Sequence, residues 1–370
     1  MRFLHLHSTF DTGGKEWRSV ALMRALGIEI EHHIVSAMPQ AYGACALIGP
    51  DVRWRVREDF PPLAGTPTPT RLWALGQAIA EGGYDLVLSY NWGAMDGVLA
   101  NRLFARRPLV HHEDGFNADE AQGSKAHRDW WRRMALEAAH YLVVPSQSLQ
   151  NIATSRWGQE DTRVVTIANG IDVAHMESAS IAPCQFRRSA EEFIIGTLAG
   201  LRPVKNLTRM VRIFAQLRAQ TDRPVRLVIA GEGGEAENIL QTAQALGVAD
   251  DVLLAGFHRN TGAFLAGLDL FALTSDSEQF PIALVEAMAT GLAAVASDVG
   301  DVQHIVSQEN QRFIFAPTEE KSMAEAWALL MRDAPLRHRI GQANAARVRA
   351  HYRFEDMVTR YRALYMAAMA

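Results

Sequence analysis

The stretch Thr274–Gly300, TSDSEQFPIALVEAMATGLAAVASDVG, decides the fold. An apolar run, Leu270–Leu273, leads into it, and a second run, Ala293–Ser297, lies near its end. Between them a helical pattern starts near Pro281, since proline's missing N–H is not needed at the first helical position. Gly291 ends the pattern as a C-terminal cap. Strand, loop, helix, turn and strand in that order form a βαβ unit, from which parallel sheets are built.

The same stretch carries chemistry. Glu278 falls in the loop and Glu286 on the helix, with seven residues between them. The amino end of a helix offers free N–H groups and partial positive charge, which suit a diphosphate. Glu286 lies about 7 Å further along the axis, where a carboxylate can accept hydrogen bonds from two vicinal ribose hydroxyls. Glu278 would face the other side of the phosphates, where a sugar would hang. Taken singly, Glu278 reads equally as a helix cap and Glu286 as surface charge.

Working outward, short apolar runs alternate with helical patterns over nearly the whole chain. Strands are expected at Phe3–His7, Glu31–Val35, Asp85–Ser89, Leu109–His112, Tyr141–Val144 and Val164–Ile167. Helices are expected at Lys15–Leu26, Pro69–Ala80, His127–Ala139 and Ser146–Trp157. The second half repeats the theme with strands Phe193–Leu198, Arg226–Ala230, Val252–Ala255, Leu270–Leu273 and Ala293–Ser297. Ala174–Glu192, with Pro183 and no clear periodicity, reads as a linker. The expected division is an acceptor-binding domain over 1–180, a donor-binding domain over 181–350, and a C-terminal helix over 351–370 that crosses back to the first domain.

Composition narrows the function. At 370 residues the chain is too long for one ordinary core. A net charge of −4 provides no global basic field, so nucleic acid is excluded as a first reading. The two cysteines, Cys45 and Cys184, stand far apart without metal or redox spacing. Met1–Phe10 carries His5, His7 and Ser8 and reads as a first strand rather than a signal peptide. No run approaches the ~20 apolar residues of a membrane span. The expected location is cytoplasmic, with peripheral contact at the inner membrane face as a further reading.

Other segments gain meaning from their positions. Gly231-Glu-Gly-Gly234 follows a strand and reads as a tight turn, its dinucleotide fingerprint being incomplete. Thr12-Gly-Gly-Lys-Glu16 follows the first strand, either as a helix-starting turn or as a loop that lets backbone approach a phosphate. Asn169-Gly-Ile-Asp172 is a good turn sequence. Gly256-Phe-His258 follows the strand at Val252–Ala255.

Thr274–Gly300 closely resembles the acid–seven–acid motif of retaining GT-B glycosyltransferases of family 4. The match covers Glu278, Phe280, Pro281, Glu286, Ala287, Met288, Ala289, Gly291, Val295, Ala296, Ser297 and Gly300, and departs at Gln279, Ala294 and Asp301. The resemblance implies an α/β fold of GT-B type, with two Rossmann-like doubly wound domains facing across a cleft. It implies a nucleotide diphosphate sugar as donor substrate, UDP-sugar favoured and GDP-sugar as the other option. It also implies retention at the anomeric carbon. Carried over by position, it assigns the donor to Gly13 and Gly14, Lys205, Gly256 and Phe257, Glu278, Phe280, Pro281 and Ile282, and Glu286. Ala199-Gly-Leu-Arg-Pro-Val-Lys-Asn206 resembles the family's cation-bearing loop, with Gly200 where the diphosphate-binding arginine usually stands. Two cations are wanted because the leaving diphosphate gains negative charge as the sugar bond breaks. Lys205 supplies one; Arg202 is either the displaced second or a solvent-facing residue.

The first half reads less clearly, as a variable acceptor site would. Val110-His-His-Glu-Asp-Gly-Phe116 resembles the H-x-E-x-G sequence of family members that build surface polysaccharides. That sets His111 to face the reacting sugar, beside Glu113, whereas His5 and His7 read as structural. The helix His127–Ala139 holds Arg128, Trp130, Trp131, Arg132 and Arg133. It is either a packed amphipathic helix or a surface for anionic membrane and a lipid-linked acceptor.

No obvious nucleophile stands in the acceptor half, which favours a front-face route in which the departing phosphate deprotonates the acceptor hydroxyl. Lys205, Glu278 and His111 are the expected catalytic residues. The chain has no Asp-x-Asp pair, so no metal and no other cofactor is expected. A sugar-nucleotide epimerase, a non-catalytic nucleotide-sugar sensor and a dinucleotide-dependent oxidoreductase are the rival readings. The partners are a nucleotide-sugar donor and a glycan or lipid-linked acceptor.

Overall fold

A computed structural model describes residues 1–115, 125–180, 186, 188–189 and 191–370. The chain divides into two units, one of residues 1–169 with 355–370, the other of residues 170–354. Unit 1 holds a seven-stranded sheet in the order β3-β2-β1-β4-β5-β6-β7. Its strands are β1 (Arg2–His7), β2 (Glu31–Ser36), β3 (Arg53–Val56), β4 (Leu86–Tyr90), β5 (Leu109–His112), β6 (Tyr141–Val144) and β7 (Val164–Thr166). Unit 2 holds a six-stranded sheet in the order β10-β9-β8-β11-β12-β13. Here the strands are β8 (Phe193–Leu198), β9 (Val225–Ala230), β10 (Val252–Gly256), β11 (Leu270–Leu273), β12 (Ala294–Ser297) and β13 (Ile314–Phe315). Every strand pair is parallel.

Parallel strands covered on both faces read as continuous apolar runs, which is why β8, β9 and β11 were legible. Their inner faces meet Met210, Phe214 and Leu217 of α7 (Leu207–Arg218) and Trp327 of α12 (Glu320–Arg332) in one core. In unit 1, α2 (Pro69–Glu81) packs Leu72, Leu75 and Ile79 against Leu4, Leu6 and Val87. Strand β3 was not expected: its RWRV alternates charge with bulk, and its side chains are exposed at the sheet edge. Charged edge strands resist pairing with other chains. The short β13 was too brief to register.

The units separate between Asn169 and Gly170 and again between Phe354 and Glu355, whereas the sequence reading divides at 180 and 350. Near these crossings Ile171 and Arg353 form a parallel bridge. The Ile171 N–H donates to Tyr352 O at 2.9 Å, and the Phe354 N–H donates to Ile171 O at 2.9 Å. A Cβ on Gly170 would stand 2.6 Å from Arg353 O, so the glycine permits this close passage. The last helix, α14 (Phe354–Met369), places Tyr365 Oη 2.9 Å from His112 Nε2 in unit 1. Of the two cysteines, Cys45 is a free thiol; Cys184, Pro183 and Phe116 lie outside the described residues.

Candidate functional site

In unit 2 the strand order reverses between β8 and β11, which pair directly. At such a switch point the loops leaving the two carboxyl ends part in opposite directions and open a crevice. Those loops carry Lys205 and Glu278. Lys205 ends a short 3-10 turn, Pro203–Lys205, and Asn206 follows in the left-handed region at φ 45°. Asn206 Oδ1 accepts the Arg209 N–H at 3.2 Å and so caps α7. Its Nδ2 donates to the Asp276 carboxylate at 3.1 Å. Asp276 also pairs with Arg209 at 2.7 Å, and its N–H donates to Val204 O at 2.8 Å. The two loops are thereby braced against each other.

On this frame Lys205 Nζ stands 2.5 Å from Glu278 Oε1, and Ser275 Oγ donates to the same oxygen at 2.7 Å. Helix α10 spans Ile282–Ala289, with Pro281 as its N-cap and no side chain capping it. The N–H groups of Leu284 and Val285 both go to Pro281 O, at 3.1 and 3.4 Å. Those of Ile282 and Ala283 have no acceptor within the helix, as geometry requires of a first turn. Beside this end, Gln279 Oε1 is buried without a hydrogen-bond partner among the described residues. Phe280 packs edge-on against Tyr352, with ring centroids 5.6 Å apart.

Glu286 is partly buried on α10, with Thr261 Oγ1 3.4 Å from its Oε1. Burial pushes its carboxyl up to about 7, and the Thr261 hydrogen bond offsets that only partly. Thr261 opens α9 (Thr261–Ala266), which follows the Gly256–His258 turn. There Gly256 takes a positive φ of 71° and Phe257 projects with 62% of its surface exposed.

Glycines set the loops' spacing. A Cβ on Gly300 would fall 2.2 Å from Glu278 O, at a φ of 57°. The loop after β12 therefore rests directly on the backbone of Glu278. A Cβ on Gly231 would meet Ala199 O at 1.9 Å, so the Gly231–Gly234 segment is a turn packed on the Lys205 loop. Arg202 is exposed, and its Nε lies 3.5 Å from where a Cβ on Gly200 would stand.

Unit 1 has its own switch point, between β1 and β4. Gly13 caps and Gly14 opens α1 (Gly14–Leu26). Lys15 Nζ reaches Ser8 Oγ at 2.8 Å and Glu16 Oε1 at 2.6 Å. His111, expected to face the reacting sugar, lies within β5 with no exposed surface. Its Nδ1 is 2.8 Å from Ser89 Oγ, and its Nε2 is 3.8 Å from Glu113 Oε2. Glu113 in turn accepts from Arg132 Nε at 3.3 Å, and the Arg132 guanidinium lies 5.1 Å from the Trp92 ring centre and 4.9 Å from that of Trp157. The structure thus joins His111 and Glu113 to a buried cation, Arg132, on the helix that the sequence reads either as packed and amphipathic or as a membrane surface. Its helical phase was readable in the sequence, but not which side of the helix the fold buries.

His5 and His7 are buried, as their structural reading required. His5 bridges Tyr90 Oη at 3.1 Å and His32 at 2.9 Å, while His7 stacks on Tyr90 at 4.0 Å. Burial holds His5, His7 and His112 well below the usual imidazole range and His32 at about 4. Sequence reasoning also missed Arg18, buried on α1, whose guanidinium grips Asp114 at 2.5 and 2.8 Å and Asn169 at 2.9 Å. No local pattern joins residues so distant in sequence.

The chain resembles known proteins in sequence and in fold. Residues 183–347 match the family described as glycosyl transferases group 1, and residues 12–175 match glycosyltransferase family 4. N-acetyl-alpha-D-glucosaminyl L-malate synthase of Bacillus anthracis is 26% identical over 63% of this chain, a match spanning 61% of that protein's length. The lipopolysaccharide core mannosyltransferase LpsB of Rhizobium meliloti is 34% identical over 33% of this chain and 36% of its own. The chain thus matches less than two thirds of the length of these relatives. HepE of Anabaena, solved in complex with UDP, superposes with a TM-score of 0.82 at 21% identity, covering 99% of this chain and 100% of that one. Sucrose-phosphate synthase of Thermosynechococcus elongatus gives 0.79 at 18% identity, with 99% of both chains covered. With two family models in tandem over most of its length, the chain belongs to the family 4 glycosyltransferases of the GT-B fold.

Proposed function

We propose that the protein transfers a sugar from a nucleoside diphosphate, UDP in preference to GDP, to a hydroxyl of a glycan or lipid-linked acceptor, in surface polysaccharide or glycoconjugate synthesis. One observation carries this reading: the β8/β11 switch point gathers the uncapped end of α10, the Lys205–Glu278 pair and the partly buried Glu286. Those groups match phosphate, sugar and ribose in sequence. The UDP in the HepE structure supports the choice of base.

In this reading the diphosphate lies at the Ile282 and Ala283 amides, with Phe280 and Pro281 shaping the approach. Lys205 leaves Glu278 to neutralise the departing phosphate, and Arg202 adds a second charge from the same loop. Glu278 is then free to accept hydrogen bonds from the sugar. Glu286 takes the ribose hydroxyls, and the Gly256–Phe257 turn takes the base. Gly13 and Gly14 give the amino end of α1 a similar role toward phosphate. His111, bonded to Ser89, acts as a positioning residue within the acceptor half.

The bond from the anomeric carbon to phosphate breaks as the bond to the acceptor oxygen forms on the same face. The acceptor's proton passes to the leaving phosphate, and configuration is retained. No metal is required, since lysine and helix amides supply the charge; turnover is expected to survive a chelator.

The test is nucleoside diphosphate release from a panel of sugar nucleotides, offered with and without simple glycosides as acceptors. Acceptor-dependent UDP release, with a product of the donor's anomeric configuration by NMR, is the expected outcome. Conversion of the donor to an isomeric sugar nucleotide without acceptor would overturn the transferase reading. So would tight donor binding without release for any acceptor, or an inverted product.

A further inference from the structure

A groove of about 830 Å³ in unit 1 takes no part in the transferase site. It lies between α2 and the segment in which β3 ends and leads on to Pro61. None of its lining residues belongs to the loops that follow β1, β4 and β5.

Helix α2 supplies one wall. Trp73, Gln77 and Glu81 are spaced four apart, so they share one face of the helix. Leu72, Leu75 and Ile79 anchor the helix in the core, and its start is fixed by Pro69 and by Thr68, whose Oγ1 accepts the Arg71 N–H at 3.3 Å. Ala74, Ala78 and Gly82 lie between the larger side chains, and their small size opens the hollow. Trp73 keeps 53% of its surface exposed. The side chains of Gln77 and Glu81 have no hydrogen-bond or ion-pair partner among the described residues.

The facing wall is held in place by its own bonds. Arg57 Nε and Nη2 donate to the two oxygens of Asp59 at 2.7 and 2.8 Å, and Arg57 Nη1 donates to Tyr84 Oη at 2.6 Å. Arg2 donates from Nε to Glu31 and from Nη1 to Gly82 O, both at 3.1 Å. Arg55 donates from Nε to His33 Nε2 at 2.8 Å, while its side chain remains half exposed.

Two features fix the kind of ligand. The first is charge: Arg2, Arg55 and Arg57 are balanced by Glu31, Asp59 and Glu81, so the groove has no excess charge to draw a polyanion. The second is the mixture of groups. Guanidinium groups donate, carboxylates accept and the Gln77 amide does both, which is the set that neighbouring hydroxyls require. Beside them the Trp73 indole offers a broad apolar face. A pyranose ring is divided in the same way, with an apolar C–H face and hydroxyls around its edge. From Trp73 to Gly82 the helix rises about 13 Å, which suits a short run of sugars rather than a single one.

We propose that this groove binds a neutral glycan chain, with one ring stacked on Trp73 and its neighbours hydrogen-bonded by Gln77, Glu81, Arg55 and Arg57. Binding there needs neither the donor nor the transfer step. A chain held in this way stays with the protein between transfers, which raises its effective concentration. That consequence alone rests on the proposed transfer to a glycan.

The test is calorimetric titration of the whole protein, without donor, with maltohexaose, cellohexaose and mannohexaose, and with a heparin hexasaccharide as polyanionic control. Saturable binding of at least one neutral chain is expected, undiminished by saturating UDP. Trp73→Ala is expected to weaken it on the order of tenfold, at the parent's thermal midpoint and UDP affinity, and Trp73→Phe to recover most of the loss. Gln77→Ala is expected to give a smaller loss. The proposal is overturned if no neutral chain binds, if Trp73→Ala binds as well as the parent, if UDP displaces the chain, or if heparin alone is captured. Absence of acceptor-dependent UDP release would leave these titrations standing, so the two readings fail separately.

Discussion

At the residue scale, Glu286 makes a claim that can be weighed. Its carboxyl is raised to about 7 by burial, whereas in an unfolded chain it titrates near 4.5. Between these values the folded state binds more protons than the unfolded state, so stability falls as pH rises through the interval. Glu286→Gln removes that cost and is expected to stabilise the free protein by about 1–3 kcal/mol above neutral pH. Denaturant midpoints measured at acid and alkaline pH should converge at low pH and separate at high pH; equal midpoints throughout would refute the assignment. Lys205 makes a different claim, because it shares one carboxylate oxygen with Ser275. Lys205→Ala leaves Glu278 without its cation and is expected to lower kcat by about tenfold to a thousandfold, with a smaller change in KM. Glu278 and Glu286 were legible because proline and glycine mark the helix between them. Arg132 was not, since the sequence gives its helical phase but not which side the fold buries.

At the element scale, α10 and the loops around it were legible almost residue by residue. Helix α10 begins at Ile282, one residue past Pro281, and Gly291 follows its end at φ 80°. What holds the unit in place was less visible. The loop at Gly300 lies against Glu278 O, and Gly341 of α13 (Ala334–His351) would place a Cβ 1.9 Å from Gly291 O. Asn344 and Asn310, both buried, bind each other at 2.9 Å and hold the backbone of Leu292 and Ala294 at the entry to β12. Such contacts join distant segments, and local periodicity carries no trace of them. Gly300→Ala is expected to cost more than about 1 kcal/mol, because a Cβ at positive φ there would meet backbone. It should also reduce donor turnover by displacing Glu278. Urea denaturation and a turnover assay on one preparation check both effects.

At the scale of the whole molecule, the two parallel sheets followed from alternating apolar runs. Their strand orders and the edge strand β3 did not, because local periodicity carries no trace of pairing and charge masks the period. Buried histidines give the two units opposite responses to acid. His5, His7, His32 and His112 are kept neutral by burial in unit 1. Below about pH 6.5 the unfolded chain protonates these residues while the folded one resists, so their contribution is lost as pH falls toward 4. Glu286 in unit 2 moves the other way. Every tryptophan except Trp327 belongs to unit 1. Thermal melts followed by tryptophan fluorescence should therefore shift down steeply between neutral pH and pH 5, and a flat profile would contradict the histidine burial. The central claim concerns the amino end of α10. Calorimetric titration of UDP into the parent protein and Glu286→Ala tests it most directly. The expected result is saturable one-site binding weakened by on the order of tenfold or more in the variant. Equal affinities in the two proteins would place the nucleotide elsewhere.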